Sequence, residues 1–156
     1  IRRPPRSTPV TPRRQRQMCI RDRGFFRDFV LIDDGEHKDT LDLKHNGIVP
    51  IIDLARIYAL AEGLTAVSTI DRLTQAAGTP SLSKDGAANL LDAYEFIGEL
   101  RIEHQAAQIR KGEKADNFLS PKQLSRLERA HLRDAFKVIQ TMQEALSQRY
   151  HAGNIG

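Results

Sequence analysis

Apolar and polar residues change their period once along the chain, near residue 46. Before it, in FFRDFVLIDDGEHKDTLDLK (residues 25–44), two short apolar runs at 29–32 and 40–43 flank Asp33-Asp34-Gly35-Glu36. Asp-Gly between such runs predicts a β-hairpin, because glycine accepts the positive φ that a type I′ turn demands. A hairpin alone is marginally stable, so these strands are expected to belong to a sheet whose other strands lie upstream. On the second strand Asp42 and Lys44 alternate with Leu41 and Leu43, which places both on the face opposite the leucines.

After Asn46-Gly47 the spacing becomes helical. Pro50 suits the first turn of a helix reaching about Glu62 and closed by Gly63. Ile51, Ile52, Leu54, Ile57, Tyr58 and Leu60 make that helix apolar on nearly every side, which predicts a central buried element. A shorter helix spans about 69–77, with Gly78 and Pro80 as its stop. Ser83 can cap a long helix over 84–110, roughly 40 Å at 1.5 Å per residue. Ser120 to Gln123 and Ser125 to Glu128 both fit the capping-box spacing. The second opens a last long helix to about Arg149, whose apolar positions are Leu127, Ala135, Val138, Met142 and Ala145, widened by Leu132, Phe136, Ile139 and Leu146. The predicted fold is mainly α, a helical bundle with two long helices preceded by a short β-hairpin.

Charge changes the picture only when it is divided along the chain. The net charge is +4, yet residues 1–23 hold eight Arg against one acid, Asp22, and the rest carries 16 Lys and Arg against 19 Asp and Glu. The body is therefore slightly acidic, and its only dense basic cluster, Arg110, Lys111 and Lys114, sits at a helix end where cations complement the dipole. That is too little for a polyanion-binding face, so no nucleic-acid partner is expected. The opening IRRPPRSTPVTPRRQRQMCIRDR reads physically as a basic arm. Its strings IRRPPRST and RQMCIRD also resemble translated sequencing-adapter read-through at the broken end of a gene fragment. On that second reading Gly24 begins the genuine sequence and the parent protein extends upstream. The single cysteine, Cys19, lies in this arm, so the body offers no disulfide and no thiolate. A cytoplasmic setting is expected, with neither export signal nor membrane span.

Candidate chemistry concentrates on the 84–110 helix. Arg101, His104, Gln105 and Gln108 share about 100° of arc and continue the stripe begun by Ala87, Leu90, Tyr94 and Ile97, so the core-facing stripe turns polar halfway along. A half-buried polar strip must find partners. Two readings stand: a cleft wall in which Arg101 meets a phosphate or carboxylate and His104 handles a proton, or internal pairing with Glu128, Asp134 or the Asn117 loop. Asp53 and Arg56, one turn apart, either bridge each other or Asp71 and Arg72, or bind ligand. Lys44 is a phosphate contact or part of a solvated face. His131 is expected as a core histidine. His37, His45, His104, His131 and His151 form no HxxxH pair, and no metal site is expected.

Five blocks in order, LDLKHNGIVPIIDLARIYAL (41–60), TIDRL (69–73), YEFIGELRIEHQ (94–105), DNFLSP (116–121) and LSRLERAHLRDAFKVI (124–139), resemble the nucleotidyltransferase substrate-binding domain family, over about residues 24–150. The resemblance implies a helical domain C-terminal to an α/β nucleotidyltransferase-like domain, often in bacterial signalling proteins that carry CBS and cyclic-nucleotide-binding modules. It divides the chain into a tail (1–23), a hairpin ending the upstream domain (24–45), the helical domain (46–150) and a short tail (151–156). It also implies that Arg56 and Arg72, which match its blocks, line an interdomain cleft, and the expected substrate-binding set is Arg101, His104, Gln105, Arg56, Arg72 and Lys44. The Gly-Ser motif and spaced acidic pair of the transferases are absent. Two-metal chemistry needs those carboxylates, so Mg and nucleoside triphosphate are implied for the parent and not for this chain, which is not expected to turn over alone. The expected function is to position a nucleotide or an acceptor protein for nucleotidyl transfer by the upstream domain, with a signalling protein as a candidate acceptor. The alternative is a regulatory protein-interaction module without catalysis.

Overall fold

The carboxylate of Asp42 decides where strand stops and helix begins. Its Oδ1 accepts the amides of Lys44 (3.0 Å) and His45 (2.9 Å), and its Oδ2 lies 2.7 Å from His45 Nδ1. An aspartate taking amides two and three residues ahead bends the chain out of a ladder. Strand β1 is therefore only Leu41–Asp42, and Lys44–Ile48 forms a π-helical turn that runs into helix α1, Val49–Ala61. This corrects the expected strand over 40–43: Lys44 stands on the helical turn, not opposite the leucines. The computed structural model describes residues 31–152 apart from Asp33 and Asp34, with no side chains given for 151 and 152. The basic arm, residues 29 and 30 of the expected first strand, and residues 153–156 lie outside the described residues.

Within them the turn of the predicted hairpin closes. Asp39 N donates to Ile32 O at 2.9 Å, Ile32 N donates to Thr40 O at 3.0 Å, and Gly35 has the positive φ, +85°. Beyond the turn the ladder partner comes from far along the chain. β1 pairs antiparallel with β2, Phe118–Leu119, with Leu41 opposite Leu119 and Asp42 opposite Phe118.

The four helices follow their caps. α1 ends at Gly63 (φ +64°), with Gly63 N donating to Leu60 O and Leu64 N to Ala59 O, the paired bonds of a Schellman motif. Ser68 Oγ accepts from Asp71 N to start α2, Thr69–Ala76, and Ser83 Oγ accepts from Gly86 N to start α3, Lys84–Arg110. Ser125 and Glu128 form the expected reciprocal box, Glu128 N to Ser125 Oγ at 3.2 Å and Ser125 N to Glu128 Oε2 at 2.6 Å, opening α4, Arg126–Ala152. Ser120 does not cap through its side chain. Pro121–Gln123 is a single 3-10 turn closed by Gln123 N on Ser120 O.

Packing is mainly α3 along α4 and α1 against α2. Leu41 and Leu43 share one buried cluster with Ile51, Leu73, Leu90, Ile97, Leu132 and Ile139. Two expectations shift. α1 buries one side only, through Ile51, Leu54, Ala55, Tyr58 and Ala59, while Leu60 is 79% exposed beside exposed Asp53 and Arg56. On α4 the seam is Leu132, Ala135, Phe136, Ile139, Met142 and Leu146, and Leu127 is 81% exposed. Leu127 stands five residues before Leu132, about 140° round a helix of 3.6 residues per turn, which turns it away from α3. Among the described residues no helix is long and apolar enough to cross a membrane.

Two glycines give opposite expectations. A Cβ on buried Gly47 would stand 2.9 Å from Ile97 Cγ2 in the core, whereas a Cβ on Gly98 in α3 meets nothing within 4 Å. Gly47→Ala should destabilise by about 1–3 kcal/mol through overpacking, and Gly98→Ala should stabilise by about 0.5–1 kcal/mol by restricting the unfolded chain. Thermal unfolding followed by circular dichroism checks both signs.

Candidate functional site

The apolar stripe of α3, Ala87, Leu90, Ala93, Ile97 and Leu100, is buried and is followed by half-buried Arg101, His104, Gln105 and Gln108. Buried polar atoms need partners, and these four find them in one short segment. Arg101 Nε donates to Asn117 Oδ1 at 2.6 Å, and Gln105 Nε2 donates to the same oxygen at 3.2 Å and to Asp116 O at 3.1 Å. His104 Nε2 lies 3.1 Å from Asp116 Oδ1, with the imidazole side chain 8% exposed. Gln108 Oε1 accepts from Asp116 N at 2.9 Å. Of the two readings offered by the sequence, internal pairing with the Asn117 loop describes this geometry. Glu128 and Asp134 take no part in it.

The far side of the same segment carries the strand pair. Asp116 Oδ1 also accepts from Phe118 N at 2.9 Å, Asn117 O accepts from Leu43 N at 3.0 Å, and the His37 ring stacks on Phe118 with centroids 3.7 Å apart. Residues 116–119 are thus clamped between α3 and the β1 end of the chain. Burial opposes ionisation of Asp116. Hydrogen bonds from Phe118, Gln108 and His104, with the His104 charge, outweigh it and hold the carboxyl below its usual value.

The remaining sequence candidates stand elsewhere. Arg56 Nη1 reaches Asp53 Oδ1 at 3.3 Å, an exposed pair. Such pairs contribute little to stability. Arg72 Nε donates to Ala66 O at 2.9 Å, which ties down the turn between α1 and α2. The Lys44 side chain is exposed. His131 is also exposed rather than in the core, its ring stacked on Phe96 at 3.8 Å. Among the described residues no group of three or more His, Cys, Asp or Glu could hold a metal ion.

A second location escaped the sequence reading. α1, the loop before α3 and the end of α4 enclose an open groove of about 480 Å³, lined by Ile57, Tyr58, Ala61, Glu62, Pro80, Ser81, Leu146, Arg149 and Tyr150. Glu62 Oε1 accepts from Ser81 N at 3.0 Å, and Arg149 Nη1 donates to Pro80 O at 3.1 Å. The Ser81 hydrogen bonds hold the Glu62 carboxyl below its ordinary value. Burial pushes the Tyr58 phenol up, with the Arg149 charge opposing the rise. The groove therefore places a cation and a carboxylate beside two phenol rings. No motif marks these residues, because three distant segments supply them.

A family model described as "Putative nucleotidyltransferase substrate binding domain" matches residues 15–150, beginning inside the Arg-rich opening segment. No curated protein and no solved structure gives a match.

The depressed Asp116 carboxyl fixes a pH dependence. A group whose folded value lies below its unfolded one contributes stability that is present above the ordinary carboxylate value and lost as pH falls through the folded value. Asp116→Asn should cost on the order of 1 kcal/mol at pH 7. Its urea midpoint should also fall less than that of the unsubstituted chain between pH 5 and pH 3. Equal acid sensitivity in both proteins would remove Asp116 from the account.

Proposed function

The chain belongs to the nucleotidyltransferase substrate-binding domain family, and from that premise we propose that it positions a substrate for nucleotidyl transfer carried out by a domain upstream of it. The observation that supports this is the clamp on residues 116–119. It joins β1, where the chain arrives from its N-terminal side, to the long helix α3 through hydrogen bonds on both faces of one loop. A substrate held on the helices is then held at a fixed angle to whatever precedes β1, and fixed geometry is what lowers the entropic barrier to transfer. Exposed Lys44 and Arg56 are the cations suited to charged groups of that substrate. Arg101 joins them, because its terminal nitrogens make no hydrogen bond among the described residues. Mg and the nucleoside triphosphate belong to the upstream domain in this proposal. CBS or cyclic-nucleotide-binding modules in the parent would give the positioning step its signal.

One observation favours a second reading. Arg101, His104, Gln105 and Gln108 spend hydrogen bonds inside the chain, as a scaffold would, which suits a regulatory interaction module beside a transferase-like domain without activity.

The experiment is to recover the upstream reading frame, express the longer protein and measure nucleoside triphosphate binding and transfer with magnesium. Binding is expected, with kcat/KM falling roughly tenfold for each of Lys44→Ala and Arg56→Ala, the scale of one lost charge contact. Absence of triphosphate binding, with the upstream acidic pair missing, would favour the interaction module.

A further inference from the structure

The groove between α1 and α4 has the chemistry of a ligand site that the clamp lacks. Its volume, about 480 Å³, falls in the range of small-molecule pockets. Two of the three tyrosines in the chain line it, Tyr58 and Tyr150. Tyr58 is 3% exposed and forms a fixed wall, while Tyr150 is 57% exposed and leaves ring surface open. Ile57, Ala61 and Leu146 complete an apolar wall beside them.

The polar groups are unequal in what they have left to offer. Glu62 is engaged by the Ser81 amide. Arg149 makes one hydrogen bond, from Nη1 to Pro80 O, and its other donors have no hydrogen-bond partner among the described residues. A guanidinium presents five N–H donors in a planar fork that matches a phosphate or carboxylate. Tethering at one nitrogen reduces the freedom this side chain loses on binding, so the open edge is prepared for an anion. The neighbouring carboxylate limits how much anion the site will take. One Arg against one Glu leaves no net charge, so each phosphate beyond the first adds negative charge with no further cation to meet it.

We propose that this groove binds a nucleoside monophosphate, with the phosphate on the open edge of Arg149 and the base stacked on the open ring of Tyr150. Aromatic side chains stack any base, since every base has a π face, which makes the site tolerant of base identity and selective for phosphate number. The inference deepens the positioning role and rests on it for the choice of a nucleotide over other aromatic anions. The monophosphate is what remains of a nucleotidyl donor once pyrophosphate has left, so such a site would hold a nucleotidyl group in its transferred or hydrolysed form.

The test uses the full 156-residue chain. AMP and GMP are titrated by calorimetry, and tyrosine and arginine side-chain resonances are followed by NMR, with inorganic phosphate and ATP as comparison probes. Both monophosphates are expected to bind with similar affinity, shifting Tyr58, Tyr150 and Arg149 signals. Phosphate alone should bind more weakly and ATP no more tightly. Arg149→Ala should weaken AMP at least roughly tenfold, the scale of a lost charge-assisted contact, Tyr150→Ala should weaken it less, and Lys122→Ala should leave it unchanged. Circular dichroism establishes that each variant is folded, and Tyr150→Ala, altering a half-exposed ring, serves if Arg149→Ala is not. No monophosphate binding, binding indifferent to Arg149 and Tyr150, or ATP binding clearly tighter than AMP would overturn the proposal. Those results would leave the positioning role standing, since it is tested by transfer in the longer protein.

Discussion

The polar strip of α3 cannot remain on a core-facing stripe without partners, and the loop at Asp116-Asn117 is where it finds them. Asn117 Oδ1 takes Arg101 and Gln105 together, and Asp116 offers its carboxylate to His104, its carbonyl to Gln105 and its amide to Gln108. The amide, carbonyl and Oδ1 of Asp116 and the Oδ1 of Asn117 are thereby each given a direction. The loop then has only one way to present residues 118 and 119, and β1 pairs with what it presents. Leaving one member of such a network unpaired costs more than the average hydrogen bond contributes, so the arrangement is cooperative.

The core and the clamp constrain each other. Leu41 and Leu43 are buried with the helices, and Gly47 brings the π-helical turn against Ile97 closely enough to exclude a methyl group. The N-terminal part of the domain is thus held from two sides, by apolar contact with α3 near Ile97 and by hydrogen bonds that α3 directs through residues 116–119. Stiffness at this joint is the property that a positioning domain and a signalling scaffold both need. The groove at the other end of α1 stands apart from it and carries the Arg149 guanidinium, tethered at one nitrogen.

Much of this was legible because its causes are local. Ser83 and Ser125 stand at helix starts because their hydroxyls accept amides three residues on, and Gly63 and Gly112 stand at helix ends because both adopt positive φ. The need of Arg101, His104 and Gln105 for partners was also legible, since helical spacing placed them below an apolar stripe. Which partner they chose was not. It depends on the path of residues 111–119, which no periodicity records. The strand pair was half legible for the same reason: the Asp33 to Glu36 turn is a local signal, while the match of Leu41 with Leu119 is a consequence of the clamp. Lys44 was misread as a strand residue because alternation with leucines looks alike whether the Asp42 carboxylate faces solvent or caps the next turn. The groove residues Tyr58, Glu62, Ser81 and Arg149 were invisible as a group, because only the packing of α4 across the end of α1 brings them together.

A double-mutant cycle on Arg101→Ala and Asn117→Ala, measured by urea unfolding with amide exchange at Leu43 as a second readout, addresses the clamp most directly. If α3 fixes the loop and the loop fixes β1, the two substitutions will be coupled by about 1–2 kcal/mol, and each alone will speed exchange of the Leu43 amide. Additive losses within about 0.3 kcal/mol, with Leu43 exchange unchanged, would mean that the strip and the strand pair are independent.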